Sequence, residues 1–85
     1  MPEIDPDAPE WPYRQIATTL RTEIRAGLWE PGKRLSTEKA LCERFGVARE
    51  TLRRALDCLR EDGLIFTIPH RGTYVVDPLP APTPE

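Results

Sequence analysis

Apolar residues return at helical spacing three times along this chain and then give way to two short β-prone runs. Tyr13, Ile16, Ala17, Leu20 and Ile24 form one stripe, which predicts a first helix over Pro12 to Ala26. Proline suits its first turn, where the missing N–H would have no partner anyway. Gly27 supplies the stop, and Leu28 and Trp29 are expected to fold back on the core. Glu30-Pro31-Gly32-Lys33 reads as a turn, and Leu35 opens a brief extended segment. Thr37 is the expected N-cap of a second helix, with Glu38 favourably placed at its positive end. Leu41 and Phe45 face inward, Gly46 ends that helix, and Val47 pins the following turn to the core. A third helix is predicted over Arg49 to Asp62, with Leu52, Ala55, Leu56 and Leu59 as its inner stripe and Gly63 as its stop. Leu64 to Ile68 and Thr73 to Val76 then form a hairpin joined by Pro69-His70-Arg71-Gly72.

Only Phe45-Gly46-Val47-Ala48 separates the second helical pattern from the third. A glycine there allows the positive φ that ends one helix and lets the chain turn directly into the next. This is the grammar of a helix-turn-helix, in which the second helix of the pair is carried to a DNA major groove. The hairpin after it is a wing. The expected fold is α+β, mainly α: a winged helix-turn-helix of three helices and a β-hairpin. Function is to be sought on the polar face of Arg49 to Asp62.

Composition sets the limits of this unit. Seven of the ten prolines fall outside Trp11 to Asp77. Residues 1–10 therefore read as an acidic, proline-rich mobile tail and 78–85 as a second one, around a domain at 11–77. Its roughly 66 residues make a small core, without room for an effector pocket or an active-site cleft. The net charge of −2 looks wrong for a nucleic-acid binder until it is divided by segment. Residues 11–76 hold all twelve Lys and Arg against eight acids, a balance of +4 that suits phosphate contacts. Two cysteines and one histidine make neither a tetrahedral metal set nor a CxxC pair, so neither metal nor cofactor is expected. Cys42 reads as a packed small apolar residue and Cys58 as lying nearer the polar side of its helix, both free thiols of a reducing cytoplasm. No signal peptide or long apolar span points to export or to a membrane. A lone His without a partnered nucleophile supports no enzymatic mechanism.

Charge along the third helix is unusual. Arg49, Arg53 and Arg54 occupy its first half, and Asp57, Glu61 and Asp62 its end. This is the reverse of what the helix macrodipole favours, at roughly 0.3–1 kcal/mol per charge. Basic residues at the N-terminal end make sense if that end meets phosphates and bases, and acids at the far end if it points away. Glu50 to Arg54 and Arg53 to Asp57 also fit simple i,i+4 surface pairs, a reading that leaves Arg49 unexplained. Arg14, Arg21 and Arg25 lie off the stripe of the first helix and read as a solvated face, with a phosphate contact by Arg14 or Arg21 as the alternative.

These residues resemble the DNA-binding domain of the GntR family of bacterial transcription regulators over about Tyr13 to Val76. The matching pieces are Tyr13-x-Gln15-Ile16-Ala17, Leu20-Arg21-x-x-Ile24-x-x-Gly27, Pro31-Gly32-x-x-Leu35, Glu38-x-x-Leu41 and Phe45-Gly46-Val47. Arg49-x-Thr51-Leu52-Arg53-x-Ala55-Leu56, Gly63-Leu64-Ile65 and Arg71-Gly72-Thr73-Tyr74-Val75 complete them. The opening is most similar to the branch named for histidine-utilisation repressors. The resemblance implies that Lys39 contacts phosphate or a groove-edge base, that Arg49 reads a guanine, and that Thr51 and Arg53 touch backbone and base edges. His70, Arg71 and Gly72 would lie at the minor groove, and Thr37, Glu50 and Arg54 complete the candidate interface. Ser36-Thr37 replaces the usual Pro-Ser, Ala48 replaces a Ser that would cap the third helix, and His70 replaces the first glycine of the wing turn. Glu50 faces the groove, where an acid can accept from cytosine N4.

Family members usually continue into a C-terminal effector and dimerising domain, which this chain is expected to lack. The implied partner is double-stranded DNA, with the chain monomeric in isolation and two copies meeting on a palindromic operator. A winged helix that binds protein or RNA would share the fold without needing arginines at the start of the third helix.

Overall fold

The computed structural model describes residues 4, 5 and 7–80. Three helices, α1 (Pro12–Arg25), α2 (Glu38–Phe45) and α3 (Arg49–Glu61), precede an antiparallel hairpin of β1 (Ile65–Ile68) and β2 (Gly72–Val75). Each boundary has a local cause. Pro12 opens α1, and the Trp11 carbonyl accepts from the N–H groups of Arg14 (2.9 Å) and Gln15 (3.1 Å). Thr37 caps α2, its hydroxyl accepting from the Ala40 N–H at 3.1 Å. Gly46, at φ 67°, ends α2 in the left-handed conformation that a tight turn into α3 requires. Ala48 gives α3 no side-chain cap, as its identity implies.

The core is the sum of the predicted stripes. Ile16, Leu20 and Ile24 of α1, Leu41 and Phe45 of α2, and Leu52, Ala55, Leu56 and Leu59 of α3 are all buried, with Leu64, Ile65 and Val75 closing the hairpin side. Cys42, Val47 and Cys58 are partly buried against this cluster, and both thiols are free. Among the described residues no helix is long and apolar enough to cross a membrane, and no group of His, Cys, Asp or Glu could hold a metal ion.

The expectation for Leu28 is corrected. It does not fold back on the core but stands 72% exposed, because its N–H is tied to the Glu23 carbonyl (2.9 Å) in the cap closing α1, which directs the side chain outward. Trp29 does pack inward, and its Nε1 donates to Glu23 Oε1 at 2.8 Å. The segments read as tails also carry packing groups: Ile4 and Leu79 lie against the core. The Gln15 amide accepts from the Asp5 N–H (2.9 Å) and donates to the carbonyls of Asp5 (3.0 Å) and Glu10 (2.9 Å). Residues 1–3, 6 and 81–85 of those segments lie outside the described residues.

Glu23 fastens three elements. Besides Trp29 it accepts from Arg44 of α2 at both carboxylate oxygens, and its side chain is only 19% exposed. The Arg44 hydrogen bond holds the carboxyl below the usual range, against the opposing effect of burial and with help from Trp29. A depressed folded-state pKa stabilises the fold fully above the ordinary glutamate value, and this contribution is lost as pH falls through the lowered one. Glu23→Gln is therefore expected to cost about 1–2 kcal/mol at pH 7 and progressively less below pH ~4. Thermal melts of both proteins across that range check it; a constant gap would refute it.

The wing is wider than a hairpin. β1 and β2 pair in the register Ile65↔Val75, Phe66↔Tyr74, Thr67↔Thr73 and Ile68↔Gly72. The extended segment before α2 joins the other edge of β2: Val75 donates to the Lys33 carbonyl (2.9 Å), Leu35 donates to that of Thr73 (2.8 Å), and Arg34 bridges Tyr74. A short extended segment, held to β2 by one bridge and these hydrogen bonds, thus runs into the N-cap of α2.

Candidate nucleic-acid interface

The inner stripe of α3 leaves an outer face on which 3.6-residue geometry orders the polar side chains. Arg49, Arg53 and Arg60 fall on the flank toward α2 and the wing. Thr51 and Cys58 fall on the flank toward α1, and Glu50, Arg54, Asp57 and Glu61 lie between. Glu38, the first residue of α2, reaches the first flank. Its carboxylate lies 3.3 Å from Arg53 Nη2 and 3.9 Å from Arg49 Nε. The two arginines remain 63% and 58% exposed, so the pairing orients them without covering them. At that exposure the ion pairs contribute little to stability.

The wing stands beside this flank. Its turn runs from Ile68, whose carbonyl accepts from the Arg71 N–H at 3.0 Å. Pro69 takes the second position and His70, at φ 65°, the third, the pattern of a type II turn that favours glycine there. A non-glycine residue in the left-handed region costs about 1 kcal/mol or more. His70→Gly is accordingly expected to raise stability by about 1 kcal/mol, seen as a melting temperature several degrees higher. An unchanged or lower value would show that His70 gains compensating contacts. Gly72, at φ 127°, has no alternative: a Cβ there would meet Arg34 Cδ at 2.8 Å. Arg34 lies over this gap and donates from Nη1 to the Arg71 carbonyl at 3.2 Å.

Between the wing and the start of α2 runs a groove of about 520 Å³, bordered by Thr37, Glu38 and Lys39 on one side and His70, Arg71 and Gly72 on the other. Arg60 sets the angle between α3 and the wing. It pairs with Asp57 on its own helix and donates to Thr67 Oγ1 at 2.9 Å, which is in turn 3.1 Å from Thr73 Oγ1.

The structure thus brings five of the predicted residues, Thr37, Lys39, His70, Arg71 and Gly72, around one groove and joins Arg49 to Arg53 through Glu38. The Thr37 hydroxyl is engaged as a cap acceptor. Thr51 and Arg54 are set apart, toward α1: the Arg54 guanidinium lies 4.6 Å from the centre of the Tyr13 ring, over a cleft that Thr51 and Trp11 also line. Glu50 is exposed on the outer face between the two groups. The charges at the far end of α3 require a correction. Asp62 pairs with Arg21 of α1 at 2.7 Å and Asp57 with Arg60, so these acids hold neighbours and Arg21 is not a purely solvated residue. Sequence reading missed Arg34, Arg60 and the linking role of Glu38. Arg34, Glu38 and the Arg60 contact to Thr67 each depend on a partner at least seven positions away, though the Arg60 pair with Asp57 lies at i,i+3 spacing.

Known proteins share sequence and fold with this domain. The family model described as "Bacterial regulatory proteins, gntR family" matches residues 12–75. The mannosyl-D-glycerate transport/metabolism system repressor MngR of Escherichia coli (strain K12) is 48% identical over 63 residues, 74% of this chain and 26% of that protein. The histidine utilization repressor of Klebsiella aerogenes is 34% identical over 66 residues, 78% of this chain and 27% of that protein. The chain thus spans about a quarter of the length of these curated relatives. Among solved structures, the AraR DNA-binding domain in complex with operator ORE1 is 28% identical, with a TM-score of 0.78 over 89% of this chain and 93% of that one.

Proposed function

This chain belongs to the gntR family of bacterial regulatory proteins, and from that premise we propose that it is a sequence-specific DNA-binding transcription regulator. In this reading α3 enters the major groove of double-stranded DNA and the β1–β2 wing lies at the minor groove. The observation that carries it is the pair Arg49 and Arg53, exposed on the second helix of the helix-turn-helix and oriented by Glu38 beside the basic groove of the wing. Arginine is the side chain that bonds guanine O6 and N7 together, and a guanidinium already oriented loses less freedom on docking. The likeness to a DNA-binding domain solved on its operator supports the same docking.

Thr51, Lys39 and Thr37 then contact backbone and groove edges, Glu50 accepts from cytosine, and His70, Arg71 and Gly72 follow the minor groove. The protein acts as a regulator and not as an enzyme, in the cytoplasm where bacterial DNA lies. Free in solution it is monomeric, and two copies assemble on a palindromic site, since one half-site held by a +4 domain gives only weak, salt-sensitive binding. Selection of bound duplexes from a random pool tests the proposal, followed by gel shift of the enriched sequence against random DNA. The expected result is a guanine-containing half-site repeated with inverted symmetry. Equal binding to all duplexes, or to none, would overturn it.

A further inference from the structure

The two flanks of α3 differ in how their charge is balanced. On the wing side each arginine of α3 itself has an internal carboxylate: Arg49 and Arg53 share Glu38, and Arg60 has Asp57. On the α1 side the balance is missing. Arg54 lies 4.6 Å from the centroid of the Tyr13 ring, and Arg14, one residue further along α1, lies 5.7 Å from the same centroid. Both side chains are exposed, and neither forms an ion pair among the described residues; Glu10 acts on Arg14 only from longer range. One aromatic ring therefore gathers two like charges from different helices. Arranged only for the folded state, two such cations would more readily be apart or paired with an acid.

They border a cleft of about 350 Å³ whose remaining lining is Trp11, Pro12 and Thr51. It contains no acid. Trp11 is 69% exposed, which leaves its indole N–H free to donate, and Thr51 adds a hydroxyl. A site with two guanidinium groups and neutral donors, open to solvent and beside the outer face of α3, suits the oxygens of backbone phosphates.

Building on the DNA-binding reading above, we propose that Arg14 and Arg54, held on Tyr13, clamp the DNA phosphate backbone at the edge of the major groove opposite the wing. The duplex is then gripped on both sides of α3: by the wing on one and by the start of α1 on the other. The clamp carries no base information. It sets how far α3 sinks into the groove and adds to affinity on every sequence. Tyr13 is a positioning residue here: its ring faces gather the guanidinium groups by cation–π attraction.

The test is binding of the full chain to its selected duplex and to a random duplex, by fluorescence anisotropy across 50–200 mM KCl. Arg14→Ala and Arg54→Ala are each expected to weaken both duplexes alike, about 3- to 10-fold at 0.1 M salt, and to lower the slope of log affinity against log salt by about one unit. Arg14→Lys should keep the slope, since a point charge still displaces one counterion. Tyr13→Leu, which removes the ring, should weaken both duplexes alike, and the selected base preference should be the same for all four variants. Arg14 and Arg54 are exposed, so melting temperatures within a few degrees of the parent are expected. Slopes unmoved by both alanine variants while the parent binds well would overturn the clamp and leave the DNA reading standing. Loss confined to the selected duplex would also overturn it, by making these residues base readers. A parent that binds no duplex would overturn both.

Discussion

Phe45→Ala is expected to leave the chain largely unfolded at 37 °C. Phe45 closes α2 and is wholly buried, in contact with the cluster that α1 and α3 share, and the Arg44 guanidinium lies 4.7 Å from the centre of its ring. Truncating a buried phenylalanine costs about 3–5 kcal/mol, the lost transfer energy plus the cavity left behind. A domain of this size has a total stability of roughly 5 kcal/mol. The loss is thus comparable to the whole margin and not a fraction of it. Urea titration followed by circular dichroism at 10 °C should show a midpoint lowered by more than half. A shift below about 1 kcal/mol would mean that the three stripes do not converge on Phe45. The effect on DNA binding should follow the folded fraction, since no part of this residue reaches the surface.

Arg49→Ala is expected to do the opposite: little to stability and much to recognition. Its pairing with Glu38 is long and exposed, so the free protein should melt within a degree or two of the parent. On the selected duplex the loss should be about 10- to 100-fold, equivalent to 1–3 kcal/mol for a bidentate guanine contact, with relaxed preference at one base position. On random DNA the loss should be only a few-fold. Equal losses on both duplexes would show that Arg49 contacts phosphate and that the reading residue lies elsewhere on α3. Arg53 keeps its place in this variant, because Glu38 then has a single cation to satisfy.

Much of the fold was legible because its punctuation is local. Pro12, Thr37, Gly46 and Gly63 each act within a turn, so helix bounds follow from them to within a residue. The stripes were equally readable, since burial of Leu52, Leu56 and Leu59 needs only their spacing and something apolar to face. What escaped depends on side chains meeting across the chain. Arg21 finds Asp62 across 41 positions, and Arg34 finds Arg71 across 37. Long flexible cations have many possible partners within reach, and only the assembled fold selects one. Leu28 escaped for another reason: an apolar residue after a glycine stop can turn either way, and hydrogen bonds of the cap decided the direction.

The candidate site was legible in its membership more than in its arrangement. Arg49, Arg53 and Arg54 stood out as cations at the end of α3 that its dipole disfavours, and Arg71 only through the family resemblance. The grouping of Arg49 with Arg53 did not, because it passes through Glu38, whose position at the start of α2 is also accounted for by the helix dipole. The inverted charge order on α3 turned out to have two sources. Asp57 and Asp62 serve Arg60 and Arg21, while the basic end remains available for a ligand.

The bridged segment Lys33 to Leu35 gives the molecule a mechanical property. A wing attached only through Gly63 would swing like a door on one hinge. Here its far edge is bonded into the chain two residues before the cap of α2, and Arg60 braces its near strand against α3. Load applied at the wing tip is therefore borne by the whole frame and not relieved by bending at one loop. Wing and α3 are thus tied to one another at two places, like the jaws of a caliper. In the docking proposed above, a duplex whose neighbouring grooves do not match that opening would itself have to yield, at an elastic cost set by its own sequence. Base pairs that no side chain touches would then weigh on affinity through their stiffness.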